Sequence, residues 1–390
     1  MIKKYLFFSS LVFILILACS NENTKAKNEK AIFEDKQASF SPDKVTQGKI
    51  NRLDSLFQYL YKANLFNGNV LVAQKGYVIY QKSFGIADNS KKINLSDSSA
   101  FQLASVSKTI TAASILKLAE TQKLNLNDDV KNYLSEFPYK GVTIEHLITH
   151  RSGLPNYLYF CYRYIKDGSL MLTNNNILDV IQEHKPAAYS RPGIRFNYSN
   201  TNYMLLALIV EKVSGTSFKD FVKTEIFKPL GMNHTFFIDE LDKQNDSVKT
   251  LGYTVKMKEV GYDFFDFVMG DKGVYSTTYD MYLFADAYFS GKLISKQWIN
   301  MAIQPHSKEL KTHNYGFGWR MKNFSTPDKM VFHNGWWHGY RTALQRRLKD
   351  STTIVILSNR LNSSVYQTHK ILEALDGKVN ENDKVGEEEE

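Results

Sequence analysis

Hydrophobic positions along the chain change period several times. Behind the positive start Met1–Ile2–Lys3–Lys4, Tyr5–Ala18 is a nearly unbroken apolar run. It is short for a membrane span but suits the core of a signal peptide. Residues 20–45 are polar, rich in Asn, Lys and Glu, and without periodicity, which reads as a flexible tether. Asn69–Gln74 and Tyr77–Phe84 are β-rich runs around Lys75–Gly76, the pattern of a hairpin. Ser105–Leu118 is apolar nearly all round, so it predicts a helix with no solvent face. Helical, loop-rich segments follow at about 127–136, 143–150, 174–184, 200–213 and 217–227, the last stopped by Pro229–Leu230–Gly231. Thr278–Ser290 predicts another helix. Gly316–Met321, Met330–His333, Tyr340–Arg347 and Thr352–Ser358 are strand-like at hairpin spacing, and a last helix covers about Ser363–Leu375.

Strands therefore lie at both ends of a body spanning 46–376, and helices fill its middle. That order predicts a mixed α/β (α+β) fold in which one antiparallel sheet is assembled from both ends and flanked by helices. A mostly helical lobe, about 124–275, is inserted. Residues 377–390, closing on Glu387–Glu390, read as a disordered acidic tail.

The 390 residues are 43% apolar and 23% charged, which excludes a disordered or multi-span membrane chain. The body holds 40 basic and 29 acidic residues, a balance that favours anionic partners, including substrates ending in carboxylate. No basic stripe organises this charge, so nucleic acid is not expected as a partner. The chain has two cysteines. Ile16–Leu17–Ala18–Cys19 resembles a bacterial lipoprotein processing site, which implies cleavage after residue 18 and lipid on the Cys19 thiol. Cys161 would then have no disulfide partner, and its aromatic setting Tyr159–Tyr164 reads as a small buried hydrophobe.

The buried helix opens with Ser105–Val106–Ser107–Lys108, and residues three apart share a helix face. A serine hydroxyl is a poor nucleophile until a base takes its proton. A lysine inside an apolar helix can be that base, because lost hydration disfavours its charged form. Free N–H groups of the first turn favour a developing oxyanion. The spacing alone says little: Ser41–Pro42–Asp43–Lys44 repeats it inside the tether. Two more stretches add weight. Tyr198–Ser199–Asn200 precedes a long apolar helix, where these residues serve either as caps or as a phenol and an amide facing the Ser/Lys pair. His333–Asn334–Gly335, followed by Trp336–Trp337–His338, ends a strand and is either a packed hairpin turn or part of a site.

The ordered set Ser105-x-x-Lys108, Tyr198-x-Asn200 and His333-x-Gly335 resembles the serine β-lactamase and penicillin-binding-protein superfamily, in its class C-like branch. Glu145–Pro155, Pro192–Gly193, Pro229–Met232 and Gly273–Thr277 are similar to that family as well, over about residues 50–375. The resemblance implies a β-lactamase/transpeptidase-like fold and a serine hydrolase working through an acyl-enzyme on small esters, amides or peptides, with cell-wall-derived peptides among the candidates. It implies Ser105 as the nucleophile, with Lys108 and Tyr198 sharing general-base and general-acid duty. Asn200 would hydrogen-bond Lys108 or the substrate. The N–H groups of Ser105 and Trp336 would form the oxyanion hole, and Gly335 would leave bare backbone for the substrate. Many relatives carry lysine where this chain has His333, so a weaker carboxylate anchor is expected here, with poor cephalosporin hydrolysis and a shift towards esterase or D-amino-acid peptidase activity. Trp336 and Trp337 either wall an acyl pocket or simply pack.

No cofactor is expected. His146 and His150 have a zinc-compatible spacing but lack the Glu of H-E-x-x-H and a third ligand, so no metal is expected either. Competing functions are a penicillin-binding sensor that acylates with little turnover, a true β-lactamase or D-Ala-D-Ala carboxypeptidase, and an adhesin-like lipoprotein. The last leaves the ordered motifs unexplained. The expected location is outside the cytoplasm, membrane-anchored through Cys19, in the periplasm or at the outer membrane or cell surface.

Overall fold

The computed structural model describes residues 40–168 and 170–377. The signal segment, Cys19, most of the tether and nearly all of the acidic tail lie outside these residues. The main sheet has seven antiparallel strands: β1 (Gly68–Gln74), β2 (Tyr77–Phe84), β3 (His313–Tyr315), β4 (Arg320–Lys322), β5 (Met330–Trp337), β6 (Tyr340–Arg347) and β7 (Thr352–Ser358). Their order is β2-β1-β7-β6-β5-β4-β3. The N-terminal hairpin thus closes on the C-terminal strand, with Gly68 opposite Ser358 and Ala73 opposite Thr353.

Both faces of this sheet are covered, which explains why its central strands are continuous apolar runs rather than alternating ones. In β1, Val70 and Val72 face helices α1 (Lys44–Lys62) and α5 (Thr368–Asp376), packing with Leu53, Phe57, Ile371 and Leu375. Leu71 and Ala73, one residue out of phase, join the larger core with α2 (Ser107–Glu120) and α4 (Thr278–Ser290). Twelve of the fourteen residues of α2 are buried, as the all-round apolar pattern requires.

Several elements differ from the sequence expectation. The tether stops earlier than residue 45: Asp43 caps α1, its carboxylate accepting from the Thr46 N–H at 2.7 Å. So the Ser41–Lys44 stretch is a helix start. The signal for α1 was the i, i+4, i+7 spacing of Leu53, Phe57 and Leu60, all buried. Of the helix expected at 127–136 only a 3₁₀ turn, Val130–Asn132, forms. The strand expected at Gly316–Met321 is a loop up to Trp319. Gly318 there has φ +81°, and a Cβ on it would sit 2.4 Å from Ala112 of α2. This close approach requires glycine.

Candidate active site

Ser105 lies in a single 3₁₀ turn, Ala104–Val106, immediately ahead of α2. Ala104 has φ +49°, a costly conformation for a residue with a Cβ. The turn projects Ser105 from the end of a buried helix, and Ser105 keeps partial exposure while its neighbours are buried. One turn on, Lys108 is wholly buried. Its Nζ donates to Ser105 Oγ at 3.0 Å and to the Asp271 carbonyl at 2.9 Å. A hydroxyl held against an amine in a dry site can lose its proton to that amine.

Tyr198 approaches from the helical lobe. Lys108 Nζ lies 5.1 Å from its ring centroid and the Arg320 guanidinium carbon 5.0 Å. Both basic groups thus face the Tyr198 ring, and among the described residues the phenol makes no hydrogen bond to the Ser/Lys pair. Asn200 opens helix α3 (Asn200–Ser214), and its Oδ1 is buried without a partner. Lys108 therefore takes its second contact from the Asp271 carbonyl rather than from Asn200. Ser199 occupies the N-cap position of α3 but makes no side-chain cap bond; its hydroxyl donates to the Pro155 carbonyl. Thr201 Oγ1 donates to that carbonyl at 2.6 Å and accepts the Tyr157 N–H at 2.8 Å. His150 finishes the dock, its Nδ1 accepting from the Ser199 N–H at 3.2 Å while its ring packs 4.3 Å from that of Tyr198.

Beyond Phe332, β5 leaves its partner β4 and runs beside the Ser105 turn. A Cβ on Gly335 would meet Thr342 Oγ1 at 2.2 Å and the Leu103 carbonyl at 2.3 Å. The glycine is thus required by the close approach of β5 to the nucleophile-bearing turn, apart from any need of the substrate for bare backbone. Trp336 is half exposed at this edge. Trp337 packs inward, its Nε1–H donating to Asp266 Oδ1 at 2.5 Å.

His333 is wholly buried and not a surface ligand. Its Nδ1–H donates to the Asn334 carbonyl at 2.8 Å, and Nε2 accepts from the Tyr315 hydroxyl at 3.0 Å. Burial, with Arg320 and Lys108 nearby, holds its proton affinity well below the ordinary histidine value, so it is neutral. Both ring nitrogens are engaged internally, by the strand backbone and by Tyr315.

The family profile described as Beta-lactamase matches residues 53–377. Penicillin-binding protein 4* of Bacillus subtilis (strain 168) is 36% identical over 337 residues, spanning 83% of this chain and 74% of that protein. The chain belongs to the Beta-lactamase family. Protein flp of Staphylococcus aureus (strain MRSA252) is 27% identical over 363 residues, covering 86% of this chain and 67% of its own. The octameric penicillin-binding protein homologue from Pyrococcus abyssi superposes with a TM-score of 0.74 at 25% identity, covering 84% of this chain and 78% of that one. The protein is a serine hydrolase acting through an acyl-enzyme on small ester, amide or peptide substrates.

Four site residues of this family member escaped the sequence reading. Asp271 contributes a backbone carbonyl, which no side-chain motif reports. Lys272 is buried and interacts with the Tyr157 hydroxyl, which itself donates to Asp271 Oδ2 at 2.9 Å; burial lowers the lysine's proton affinity against the pull of Asp271 and Asp266. His150 lay inside a stretch recognised as similar to the family but without a role. Arg320 is one of many basic residues, and only folding shows that its neighbours are rings. His146 and His150 do not converge: His146 Nδ1 accepts from the Thr143 N–H in a capping box, while His150 serves the Tyr198 segment. Cys161 is buried, which pushes its thiol up to about 12 and leaves it inert.

His150 and His333 also set a pH dependence. Burial is the first cause of depression for both, followed by neighbouring positive charge. The unfolded chain therefore binds protons that the folded chain refuses. Stability is complete above the ordinary histidine value near 6.5 and falls as pH drops below it, by about 1 kcal/mol per pH unit for each histidine. Urea melts between pH 7.5 and 5.5 should show this slope, and His333→Gln should reduce it by one histidine's share. An unchanged slope contradicts the assignment.

Proposed function

We propose that the protein cleaves short peptides or peptide-like amides that carry a free carboxylate, with Ser105 as nucleophile and Lys108 and Tyr198 exchanging its proton. The observation that carries this reading is Arg320. Among the described residues its guanidinium has no carboxylate or hydrogen-bond partner, and it lies over the Tyr198 ring beside Lys108. A half-buried cation left open on the ring that Lys108 also faces suits an anionic ligand group, and arginine binds carboxylates through two parallel hydrogen bonds. The carboxylate anchor lost with the neutral His333 is thereby restored one strand away, since Arg320 pairs in register with Phe332. Asn200 Oδ1, buried and unpaired, suits a substrate amide N–H. The N–H groups of Ser105 and Trp336 receive the oxyanion of the tetrahedral intermediate.

In the proposed sequence, Lys108 takes the proton of Ser105 Oγ as that oxygen attacks the carbonyl carbon. The leaving amine receives a proton through Tyr198, and water later cleaves the ester formed with Ser105. Arg320→Met should raise KM for a peptide with a free terminal carboxylate by about 10- to 100-fold, the loss of one charge-assisted contact of ~1.5–3 kcal/mol. The same substitution should leave a neutral p-nitrophenyl ester nearly unaffected. Equal losses on both substrates would remove the carboxylate assignment. Similarity to penicillin-binding proteins also supports capture of penicillins, whose carboxylate fits the same cation; slow release of that adduct, with poor cephalosporin turnover, is the expected behaviour.

We further propose that Cys19 is lipidated and that the chain is exported and membrane-anchored. The support is the apolar run of residues 5–18 ending at cysteine. Among the described residues no helix is long and apolar enough to cross a membrane, so the anchor would lie in that segment. Cys19→Ser should move the protein from the membrane fraction to the soluble one; retention in the membrane fraction counts against lipid attachment.

A further inference from the structure

Asp263, Asp266 and His338 bring their ligand atoms within 4.8 Å of one another. They join two segments distant in sequence, the loop around 261–266 and the turn between β5 and β6. His338 Nδ1 donates to the Gly261 carbonyl at 2.8 Å, which leaves Nε2 facing Asp263 Oδ2 and Asp266 Oδ2, 3.9 Å from each. Nε2 and the two carboxylate oxygens therefore converge on one point, and the 3.9 Å separations leave room for an ion between them. Asp266 Oδ2 also accepts the Asp263 N–H at 2.5 Å, which fixes that carboxylate in place.

An independent observation points the same way. Gln102 lines the same cavity as Asp266 and His338. It is 2% exposed, and its Oε1 has no hydrogen-bond partner. A buried amide oxygen of this kind costs ~1–3 kcal/mol unless a donor or cation meets it. A water held by an ion supplies that donor. The neighbouring cation, Lys272, is already committed to Tyr157 and Asp271.

We propose that Asp263, Asp266 and His338 bind one divalent cation of the zinc class, with Gln102 receiving a metal-bound water. One imidazole and two carboxylates form a donor set suited to zinc, whose bonds of ~2.0–2.2 Å need the ligands to close by about half an ångström. The hydrogen bond from Nδ1 to Gly261 fixes the tautomer that ligation needs. The ion would clamp the 261–266 loop onto the turn that follows Trp336, where Asp266 already holds the Trp337 indole.

The test uses the full chain, stripped with EDTA and titrated with Zn²⁺ by calorimetry, with melting temperature read in parallel. One equivalent should bind and raise the melting temperature. Asp263→Asn and His338→Gln should each weaken binding at least tenfold while still melting cooperatively in EDTA. His146→Gln, a control for zinc captured elsewhere, should bind as the parent does. Absence of stoichiometric binding, unchanged affinity in both site variants, or loss of binding in the His146 variant would each overturn the site. If either site variant fails to melt cooperatively, competition between zinc and pH decides instead. Binding that does not weaken as pH falls through the histidine range would then overturn it.

Discussion

Replacing Ser105 by alanine should lower hydrolysis of an activated ester by about 10⁶-fold and abolish labelling by a fluorophosphonate. The magnitude follows from removing the nucleophile of an acyl-enzyme mechanism, after which only binding and oxyanion stabilisation act. The oxygen removed is the one that Lys108 Nζ approaches at 3.0 Å. Little else depends on it: Lys108 keeps its bond to the Asp271 carbonyl, and the strained Ala104 turn is held by its contacts with β5. Folding stability should therefore change by under about 1 kcal/mol, the scale for one neutral hydrogen bond. Loss of activity with a native melting temperature is the expected pair of results. Labelling of the alanine variant equal to that of the parent would show that another group carries the acyl chain.

What could be read in the sequence follows from which contacts are local. Ser105 and Lys108 are three apart on one helix start, so their meeting was fixed by helix geometry, as was the burial of α2 by its all-round apolar pattern. The sheet built from both chain ends was also visible, because strand runs flank a helical middle. Long-range pairing was not. The edge of β5 meets the Ser105 turn across more than 200 residues of chain, and that meeting gives Gly335 its steric role. His333 read as either a packed turn residue or a weak carboxylate anchor, and only folding shows that it is buried against Tyr315 and held neutral.

The same distinction explains the electrostatics. Sequence alone suggested a basic body with a weak anchor at position 333. In the fold, Lys108 and Arg320 both lie about 5 Å from the Tyr198 ring, while His150 and His333 nearby stay neutral because they are dry. Two basic side chains thus face one ring, Lys108 in contact with the nucleophile and Arg320 with no carboxylate partner among the described residues. A motif search weighs residues at fixed spacing and cannot see that Arg320, 13 positions before His333, lies over the Tyr198 ring.

Lys108→Met separates those two side chains most sharply. Methionine is close in length and apolar, so it fills the buried space without adding volume. The loss of a positioned base should lower kcat by about 10³- to 10⁴-fold, with KM for the peptide substrate held near its parent value by Arg320. Stability should stay close to that of the parent. The Asp271 carbonyl loses its donor, at ~1–3 kcal/mol, but a buried amine that must be desolvated is removed as well. Lys108→Arg provides the complementary control, since guanidinium keeps the charge but cannot be deprotonated in a protein. If proton transfer is the lysine's task, arginine should be as inactive as methionine. In Lys108→Ala a small primary amine such as methylamine should restore part of the rate. Should arginine instead recover most of the activity, the residue acts as a fixed charge, and the proton must leave Ser105 by another path, with Tyr198 as the remaining acceptor.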